Sequence, residues 1–242
     1  MHFGLIGKTL THSFSKKYFT KKLYILGISG HYDLFELSSI EAFPSLLQQH
    51  PLLKGLNVTI PYKTAIIPYL DELDETAKSI GAVNTITLKD GKTKGFNTDC
   101  FGFEQTLQHH FPLTHSRTAL IFGTGGSAKA VEYVLKQYNF EIMHVSRYAS
   151  PKHITYSGID SSVANKHQLL INCTPRGMYP QVAETLPLPF ALFGEQHYFI
   201  DLIYNPEKTA TAIQLEANGV HIANGLEMLY AQAEKSWEIW MS

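Results

Sequence analysis

The stretch TALIFGTGGSAKAVEYVLKQ, residues 118–137, indicates the fold of this chain. An apolar segment typical of a buried strand leads into a glycine-rich turn, and a helix-forming segment follows. The residues of the turn match the pattern G-x-G-x-x-A; they are Gly123, Thr124, Gly125, Gly126, Ser127 and Ala128. Such glycines let the backbone approach a pyrophosphate, and the helix N-terminus offers N–H groups and a positive dipole end. An ordinary turn is the alternative, but this context favours a dinucleotide-binding site.

The strand after that helix indicates which dinucleotide is preferred. An acidic residue about 20 residues after the glycines would bind the ribose 2′-hydroxyl of NAD. Here the strand ends at Val145-Ser146-Arg147, with no Asp or Glu at its tip. A planar guanidinium suits a 2′-phosphate, so Arg147 favours NADP over NAD. The alternative for a lone arginine is a solvated surface charge.

The composition excludes several classes of protein. The chain has 242 residues, of which 44% are hydrophobic and 17% charged, and a net charge of −1, as is typical of a globular protein. The near-neutral balance argues against a dedicated nucleic-acid binder and a polybasic membrane anchor. Two cysteines are too few for a secreted disulfide scaffold. With neither a signal peptide nor a membrane span expected, the sequence predicts a cytoplasmic protein.

Strand-like and helix-like segments alternate on both sides of the nucleotide motif. Before it, strands are predicted at 3–7, 32–37 and 53–59, and helices from about residue 15, over 40–49 and over 71–79. Asp90-Gly91 between two further strand-like runs predicts a hairpin. After it, strands are predicted at 140–145, 169–172, 198–202 and 220–222, and helices at 209–217 and 226–240. The fold class is therefore α/β, with helices on the faces of parallel sheets.

Polar residues cluster at the predicted ends of the strands in the first half, where open parallel sheets bind ligands. The clusters are THSFS at 11–15, NVTIPYK at 57–63, GAVNT at 81–85 and NTD at 97–99. They suggest a polyhydroxylated substrate that faces a nicotinamide. The motifs NCTPRGM at 172–178, DLIYNP at 201–206 and NGLEML at 224–229 complete an ordered set with the glycine-rich turn. In order and spacing, this set strongly resembles the shikimate dehydrogenase family over nearly the whole chain.

The resemblance implies roles for individual residues. Lys63 and Asp99 would form the catalytic pair. The substrate-binding residues implied by the resemblance are Ser13, Ser15, Thr59, Asn84, Tyr204 and Gln232. The cofactor-binding residues would be those of the glycine-rich turn together with Ser146, Arg147, Thr174 and Gly225. Taken singly, each has an ordinary alternative: the two serines and Asp99 could cap helices, and Lys63 could be a surface lysine.

The resemblance also implies the reaction and the architecture. The reaction would be the reversible NADPH-dependent reduction of 3-dehydroshikimate to shikimate, in the biosynthesis of aromatic amino acids, with NADP(H) as the cofactor. A substrate-binding domain with a mainly parallel sheet would span 1–98 and be completed by a final helix in 224–242. A Rossmann-type NADP-binding domain would span 99–223, with the substrate in the cleft between the two. A monomer or homodimer without nucleic-acid or membrane partners is expected.

Two alternatives stay open from the sequence. One is a quinate/shikimate dehydrogenase that uses NAD, and the other is a non-catalytic shikimate-binding relative, against which the presence of both Lys63 and Asp99 argues. The family commonly has a second basic residue four positions after the arginine, where Pro151 stands here with Lys152 adjacent, so a weaker or rearranged 2′-phosphate contact is expected. The pair His109-His110 has no third ligand at zinc-site spacing, so no metal is expected.

Overall fold

The computed structural model describes residues 1–10, 13–148, 150–151 and 153–242. Thr11 and His12 of the first polar cluster lie outside the described residues, as does Lys152. The chain divides into two compact units, residues 1–98 with 232–242 and residues 99–231. Each is an α/β structure built on one sheet, which confirms the predicted fold class. None of the described helices is long and apolar enough to cross a membrane.

A mixed, mainly parallel sheet is the centre of the first unit. Its described strands are β1 (His2–Gly7), β2 (His31–Glu36), β3 (Leu53–Val58), β4 (Glu72–Leu73), β5 (Thr85–Lys89) and β6 (Lys92–Phe96), in the order β2-β1-β3-β5-β6-β4. β1 pairs in parallel with β2 and β3, whereas β5 runs antiparallel to β3 and β6. The helices before residue 98 are α1 (Phe14–Ile25), α2 (Phe43–Gln49), α3 (Tyr62–Ala65) and α4 (Glu75–Ile80).

Both faces of this sheet are covered by apolar side chains. Phe3 and Leu5 of β1 pack with α1 on one face, whereas Ile6 packs with α2 on the other, because successive side chains of a strand point to opposite faces. Trp240, near the end of the chain, joins the first of these clusters and donates its indole N–H to the Ile86 carbonyl at 3.0 Å. Aromatic packing and this hydrogen bond anchor the C-terminal helical segment in the first unit.

A parallel sheet is the centre of the second unit. Its described strands are β7 (Thr118–Phe122), β8 (Glu141–Ser146), β9 (His153–Thr155), β10 (Leu169–Asn172), β11 (Tyr198–Asp201) and β12 (His221–Ala223), in the order β12-β11-β10-β7-β8-β9. The helices are α5 (Asp99–His110), α6 (Gly126–Gln137), α7 (Ser161–Lys166), α8 (Ala210–Ala217) and α9 (Leu226–Met241), whose residues from 232 belong to the first unit. The strand order changes direction at β7, and ligands bind at the carboxyl ends of strands at such a point.

The acidic stretch 71–79 differs from its predicted helix. Glu72–Leu73 form strand β4 and pair with β6, so the helix begins only after them. The Asp71 carboxylate accepts hydrogen bonds from the Thr93 N–H and hydroxyl at 2.7 and 2.8 Å, which holds the start of the stretch against the sheet. A tertiary contact has thus overridden local helix propensity.

Two short elements of the second unit are absent from the sequence-based prediction. β9 and α7 are both too short to show a periodic pattern of apolar residues. Asp160 nevertheless marks the start of α7, because its carboxylate accepts the Val163 N–H at 2.9 Å as an N-cap.

Candidate active site

The glycine-rich turn follows the carboxyl end of β7. Gly123 has a φ of +105°, and a Cβ there would lie 3.1 Å from Thr174 Cγ2 and 3.3 Å from the Cys173 carbonyl oxygen. Only glycine combines this backbone conformation with so close an approach without strain. The turn therefore lies directly against the loop that follows β10.

The N-terminus of α6 is available to an anion. Gly125 is the N-cap and Gly126 the first helical residue, and no described side chain caps this end. Thr124 and Gly125 are exposed, Ser127 is half-buried, and Ala128 is buried against the sheet. The N–H groups of the first turn and the helix dipole favour negative charge. This helix N-terminus is the place at which the motif predicts that a pyrophosphate binds.

Arg147 lies beside a tyrosine at the same edge of the parallel sheet. Ser146 ends β8 and pairs with Thr155 of β9, so the residues that follow them, Arg147 and Tyr156, are neighbours. The Tyr156 ring stacks on Phe122, the last residue of β7, with 5.9 Å between the ring centroids. Arg147 itself is exposed. The Tyr156 ring and Arg147 thus both lie next to the end of β7, where the glycine-rich turn begins.

A second arginine lies near the same ring. Burial raises the pKa of Tyr156, and the positive charges of Arg176 and Arg147 oppose that rise. Arg176 belongs to the loop after β10, is exposed, and has its Nε 3.8 Å from Glu184 Oε2. Exposed ion pairs of this kind are weak. Arg176 can therefore leave this carboxylate for an anion with more negative charge, such as a phosphate.

A buried hydrogen-bond network joins the ends of β10 and β11. Asn172 Oδ1 accepts from the Thr174 N–H and hydroxyl at 3.0 and 2.7 Å, and Asn172 Nδ2 donates to Asp201 Oδ1 at 2.9 Å. Asp201 also accepts from the Ile203 N–H at 3.1 Å and from the Thr209 hydroxyl at 2.7 Å. Burial raises the pKa of Asp201 to about 6, although these hydrogen bonds oppose the rise. The network orients the loop that carries Thr174.

We expect Asp201→Asn to flatten the pH dependence of stability between about pH 4 and pH 6. The carboxyl group of Asp201 has a folded-state pKa of about 6, whereas its ordinary value is 3.8. Its contribution to the free energy of unfolding is therefore fully present only at low pH. That contribution is lost as the pH rises through the folded-state value. It amounts to at most about 3 kcal/mol, and asparagine keeps the shape and the Oδ1 acceptor.

Urea unfolding of wild type and variant near pH 4 and near neutral pH measures this effect. The wild type should lose stability relative to the variant as the pH rises. Glu195→Gln, which changes an exposed carboxylate of the same unit, is the control and should leave the wild-type profile unchanged. Parallel profiles for Asp201→Asn and wild type would contradict the prediction.

Tyr204 and Gly225 lie in loops of the second unit. Tyr204 is half-buried, and burial raises the pKa of its hydroxyl, so it is an O–H donor at neutral pH. Gly225 donates its N–H to the Ile203 carbonyl at 3.1 Å, and a Cβ on Gly225 would lie 2.1 Å from the Leu202 carbonyl oxygen. Packing alone therefore requires glycine at position 225.

Ser13 and Ser15 lie at the start of α1. Ser13 is the N-cap and its Oγ accepts the Lys16 N–H at 3.2 Å, which is the capping role that the sequence offers as the alternative. Capping uses an oxygen lone pair, so the hydroxyl proton can still be donated to a carboxylate. Ser15 is hydrogen-bonded to buried Tyr32, whose hydroxyl donates to Asn57 Oδ1 at 2.8 Å.

Thr59 and Lys63 follow the carboxyl end of β3. The Thr59 N–H donates to the Ile6 carbonyl and the Thr59 carbonyl accepts from the Tyr62 N–H, both at 2.9 Å, so the chain turns directly into α3. Lys63 is half-buried in α3, and its carbonyl accepts the Val83 N–H at 2.7 Å. Backbone hydrogen bonds thus fix the positions from which both side chains extend.

Asn84 is the centre of a buried polar network and is only 3% exposed. Its Oδ1 accepts the Thr98 N–H at 2.7 Å, and its Nδ2 donates to the Thr98 hydroxyl at 2.9 Å. The same Nδ2 lies 3.5 Å from Oε1 of Gln232, a half-buried residue of α9. The structure therefore brings together two predicted substrate-binding residues that are distant in the sequence.

Asp99 is the first residue of α5 and is 5% exposed. A carboxylate in the first turn of a helix is stabilised by the dipole, so this position also suits the structural role that the sequence offers as the alternative. Asp99 belongs to the second unit and Lys63 to the first. The two residues predicted as the catalytic pair therefore come from different units.

Comparisons with known proteins identify the family. The family model for the shikimate dehydrogenase substrate binding domain matches residues 5–86. The shikimate dehydrogenase (NADP(+)) of Clostridium beijerinckii is 39% identical over 98% of this chain and 91% of its own length. That of Methanococcus maripaludis is 36% identical over 98% of this chain and 90% of its own length. The chain belongs to the shikimate dehydrogenase family.

The fold agrees with that of solved shikimate dehydrogenases. The structure of shikimate 5-dehydrogenase from Thermus thermophilus in complex with NADP(H) and shikimate is 30% identical, with a TM-score of 0.87. The match covers 99% of this chain and 93% of that one. The resemblance stated from the motifs is thus confirmed at the level of the family and of the fold.

The motifs of the shikimate dehydrogenase family do not by themselves single out Arg176 or Tyr156 in this chain. Arg176 stands inside the NCTPRGM motif, directly after β10, and β10 pairs with β7. Loops after neighbouring parallel strands meet at one edge of a sheet, so the sequence could have predicted that Arg176 lies near the glycine-rich turn. Tyr156 has no such signal, because its place depends on the short strand β9 pairing with β8.

Proposed function

We propose that this chain catalyses the reversible NADPH-dependent reduction of 3-dehydroshikimate to shikimate. The observation that carries the proposal is the match over nearly the full chain to relatives named as shikimate dehydrogenase (NADP(+)). The glycine-rich turn and the α6 N-terminus supply the matching cofactor chemistry. The alternative of an NAD-dependent quinate enzyme is not favoured, because these relatives are named for NADP(+).

NADPH, when bound, supplies the hydride. Addition of hydride to the ketone carbon places negative charge on its oxygen, and we assign the stabilisation of that charge to the Lys63 ammonium. Lys63 and Asp99 share the associated proton transfer, with the carboxylate orienting the ammonium. In the direction of oxidation, the same pair accepts the proton of the substrate hydroxyl. These assignments rest on the motifs in which the two residues stand.

We assign the substrate contacts by the chemistry of the side chains. Ser13 and Tyr204 can each donate an O–H to the substrate carboxylate without an added positive charge, and Ser15 would do so by giving up its hydrogen bond to Tyr32. Thr59 would bind a substrate oxygen. Asn84 and Gln232 present amide groups to ring hydroxyls, and their proximity supports a shared site.

We assign the cofactor contacts to one edge of the parallel sheet. The phosphates would bind at the glycine-rich turn, where Gly123 is close to Thr174. Ser146 and Arg147 follow β8, where the adenosine ribose of a dinucleotide binds in this type of fold. We add Arg176 to this set, because its charge lies near Tyr156 together with that of Arg147. Gly225 stays a candidate, although packing already requires glycine at that position.

Initial rates with shikimate and quinate, each with NADP and NAD, test the function directly. We expect NADP reduction with shikimate to be the fastest of the four combinations. Folded protein without turnover in any combination would refute the proposed activity, and fastest turnover with quinate and NAD would support the alternative. Circular dichroism on the same samples verifies the fold.

A further inference from the structure

Three potential metal ligands lie together on one face of the first sheet. His2 on β1 is paired in register with His31 on β2, and Asp33 is two residues beyond His31. Since alternate residues of a strand share a face, His31 and Asp33 point to the same side. The cluster of His2, His31 and Asp33 is therefore a direct consequence of the parallel pairing of β1 with β2.

The distances between the ligand atoms of this cluster suit a cation with tetrahedral coordination. Asp33 Oδ2 lies 3.0 Å from His2 Nε2 and 3.5 Å from His31 Nε2, and the three ligand atoms all lie within 4.8 Å of one another. Ligands bound to zinc at about 2.0–2.1 Å in a tetrahedron are separated by roughly 3.3 Å. Small side-chain movements would therefore place all three atoms around one ion.

We propose that His2, His31 and Asp33 form a binding site for a zinc-type divalent cation. Two imidazole nitrogens and one carboxylate oxygen form a donor set that such borderline cations accept, whereas Mg²⁺ and Ca²⁺ prefer oxygen ligands alone. The side chain of His2 is 11% exposed, whereas those of His31 and Asp33 are 62% and 41% exposed, so an ion can enter from solvent.

A further histidine lies next to the cluster. The His50 ring meets the His2 ring edge-on, with 5.7 Å between the centroids, and also contacts Phe35 at 4.8 Å. Water or the His50 imidazole would complete the four-coordinate shell, as three protein ligands and an open position are a common arrangement for zinc.

The role of such a site would be structural. The cluster lies at the amino ends of β1 and β2, whereas Ser13 and Thr59 follow the carboxyl ends of β1 and β3. Strands of this length separate the two edges by roughly 20 Å. A cation at the cluster would join β1 to β2 and stabilise the first unit without touching the proposed substrate groups.

Zinc titration of chelator-treated, dialysed protein tests the site. Calorimetry with zinc sulfate should show one ion per chain and thermal unfolding should show a raised Tm, while magnesium sulfate should cause neither. Cobalt should produce the visible absorption bands of a tetrahedral complex. Shikimate turnover should be unchanged by zinc, so the outcome is separate from that of the proposed function.

Variants decide whether the named residues hold the ion. Asp33→Asn and His31→Gln should each weaken zinc binding at least about tenfold, and the two substitutions change side chains that are 41% and 62% exposed. His110→Gln is the matched control, because His110 is the Nε2 partner of a different carboxylate, Glu227, at 3.1 Å. Unchanged affinity in His31→Gln, or loss of binding only in His110→Gln, would overturn the proposal.

Discussion

Replacement of Lys63 by alanine should lower kcat for shikimate oxidation by about 10²–10⁴-fold. The ammonium is the only group that we assign to stabilise the charge on the substrate oxygen, so its loss removes an interaction made mainly in the transition state. The affinity for shikimate should change little, because the carboxylate and the other hydroxyls are bound by neutral side chains. Steady-state kinetics together with calorimetric binding of shikimate separate the two effects.

Lys54→Ala is the matched control for this experiment. Lys54 is an exposed lysine of β3 in the same unit, and its removal should leave kcat and KM at wild-type values. A Lys63→Ala enzyme that binds shikimate and turns over at the wild-type rate would refute the assigned role. Loss of shikimate binding as well as turnover would instead place Lys63 among the binding residues.

The second large effect is expected at the two arginines near Tyr156. Arg147→Ala should raise the KM for NADP by about 10–100-fold, because a charge-assisted hydrogen bond is worth about 1.5–3 kcal/mol. Arg176→Ala should raise it in the same direction, and the double variant should lose most of the preference for NADP. The KM for NAD, which lacks the 2′-phosphate, should change little in all three variants.

Arg117→Ala is the control for the arginine series. Arg117 precedes β7 and donates from Nη1 to the Tyr138 carbonyl at 2.9 Å, at the end of the strand away from the glycine-rich turn. Its removal should affect both cofactors equally. Equal effects of Arg147→Ala on NADP and NAD would count against a 2′-phosphate contact, and an unaltered Arg176→Ala enzyme would remove Arg176 from the cofactor site.

Local sequence was sufficient to predict the turn and helix that we propose as the nucleotide-binding half of the site. A strand, a glycine-rich turn and a helix are consecutive in the chain, so the turn at Gly123 and the start of α6 follow from neighbouring residues alone. The hairpin at Asp90 and Gly91 is equally local, and both residues have the positive φ values, 52° and 73°, that such a turn requires. The ordered motifs were likewise sufficient to predict the family.

Contacts between distant parts of the chain could not be predicted in this way. Asn84 and Gln232 meet because the last helix returns to the first unit, and Arg176 and Arg147 lie near Tyr156 because β7 is between β8 and β10. Neither contact could be predicted from the spacing of its residues in the sequence. The raised pKa of Asp201 also depends on burial, which only the assembled sheet provides.

Residue identities and their order along the chain were therefore enough to predict the fold class, the glycine-rich turn, the family and the candidate residues. The folded sheets were needed to establish which of those residues are neighbours and which groups the motifs leave out, including the cluster of His2, His31 and Asp33. The difference arises because motifs report on backbone conformation within a few residues. Strand order and register bring remote side chains together, and these depend on the packing of the whole sheet.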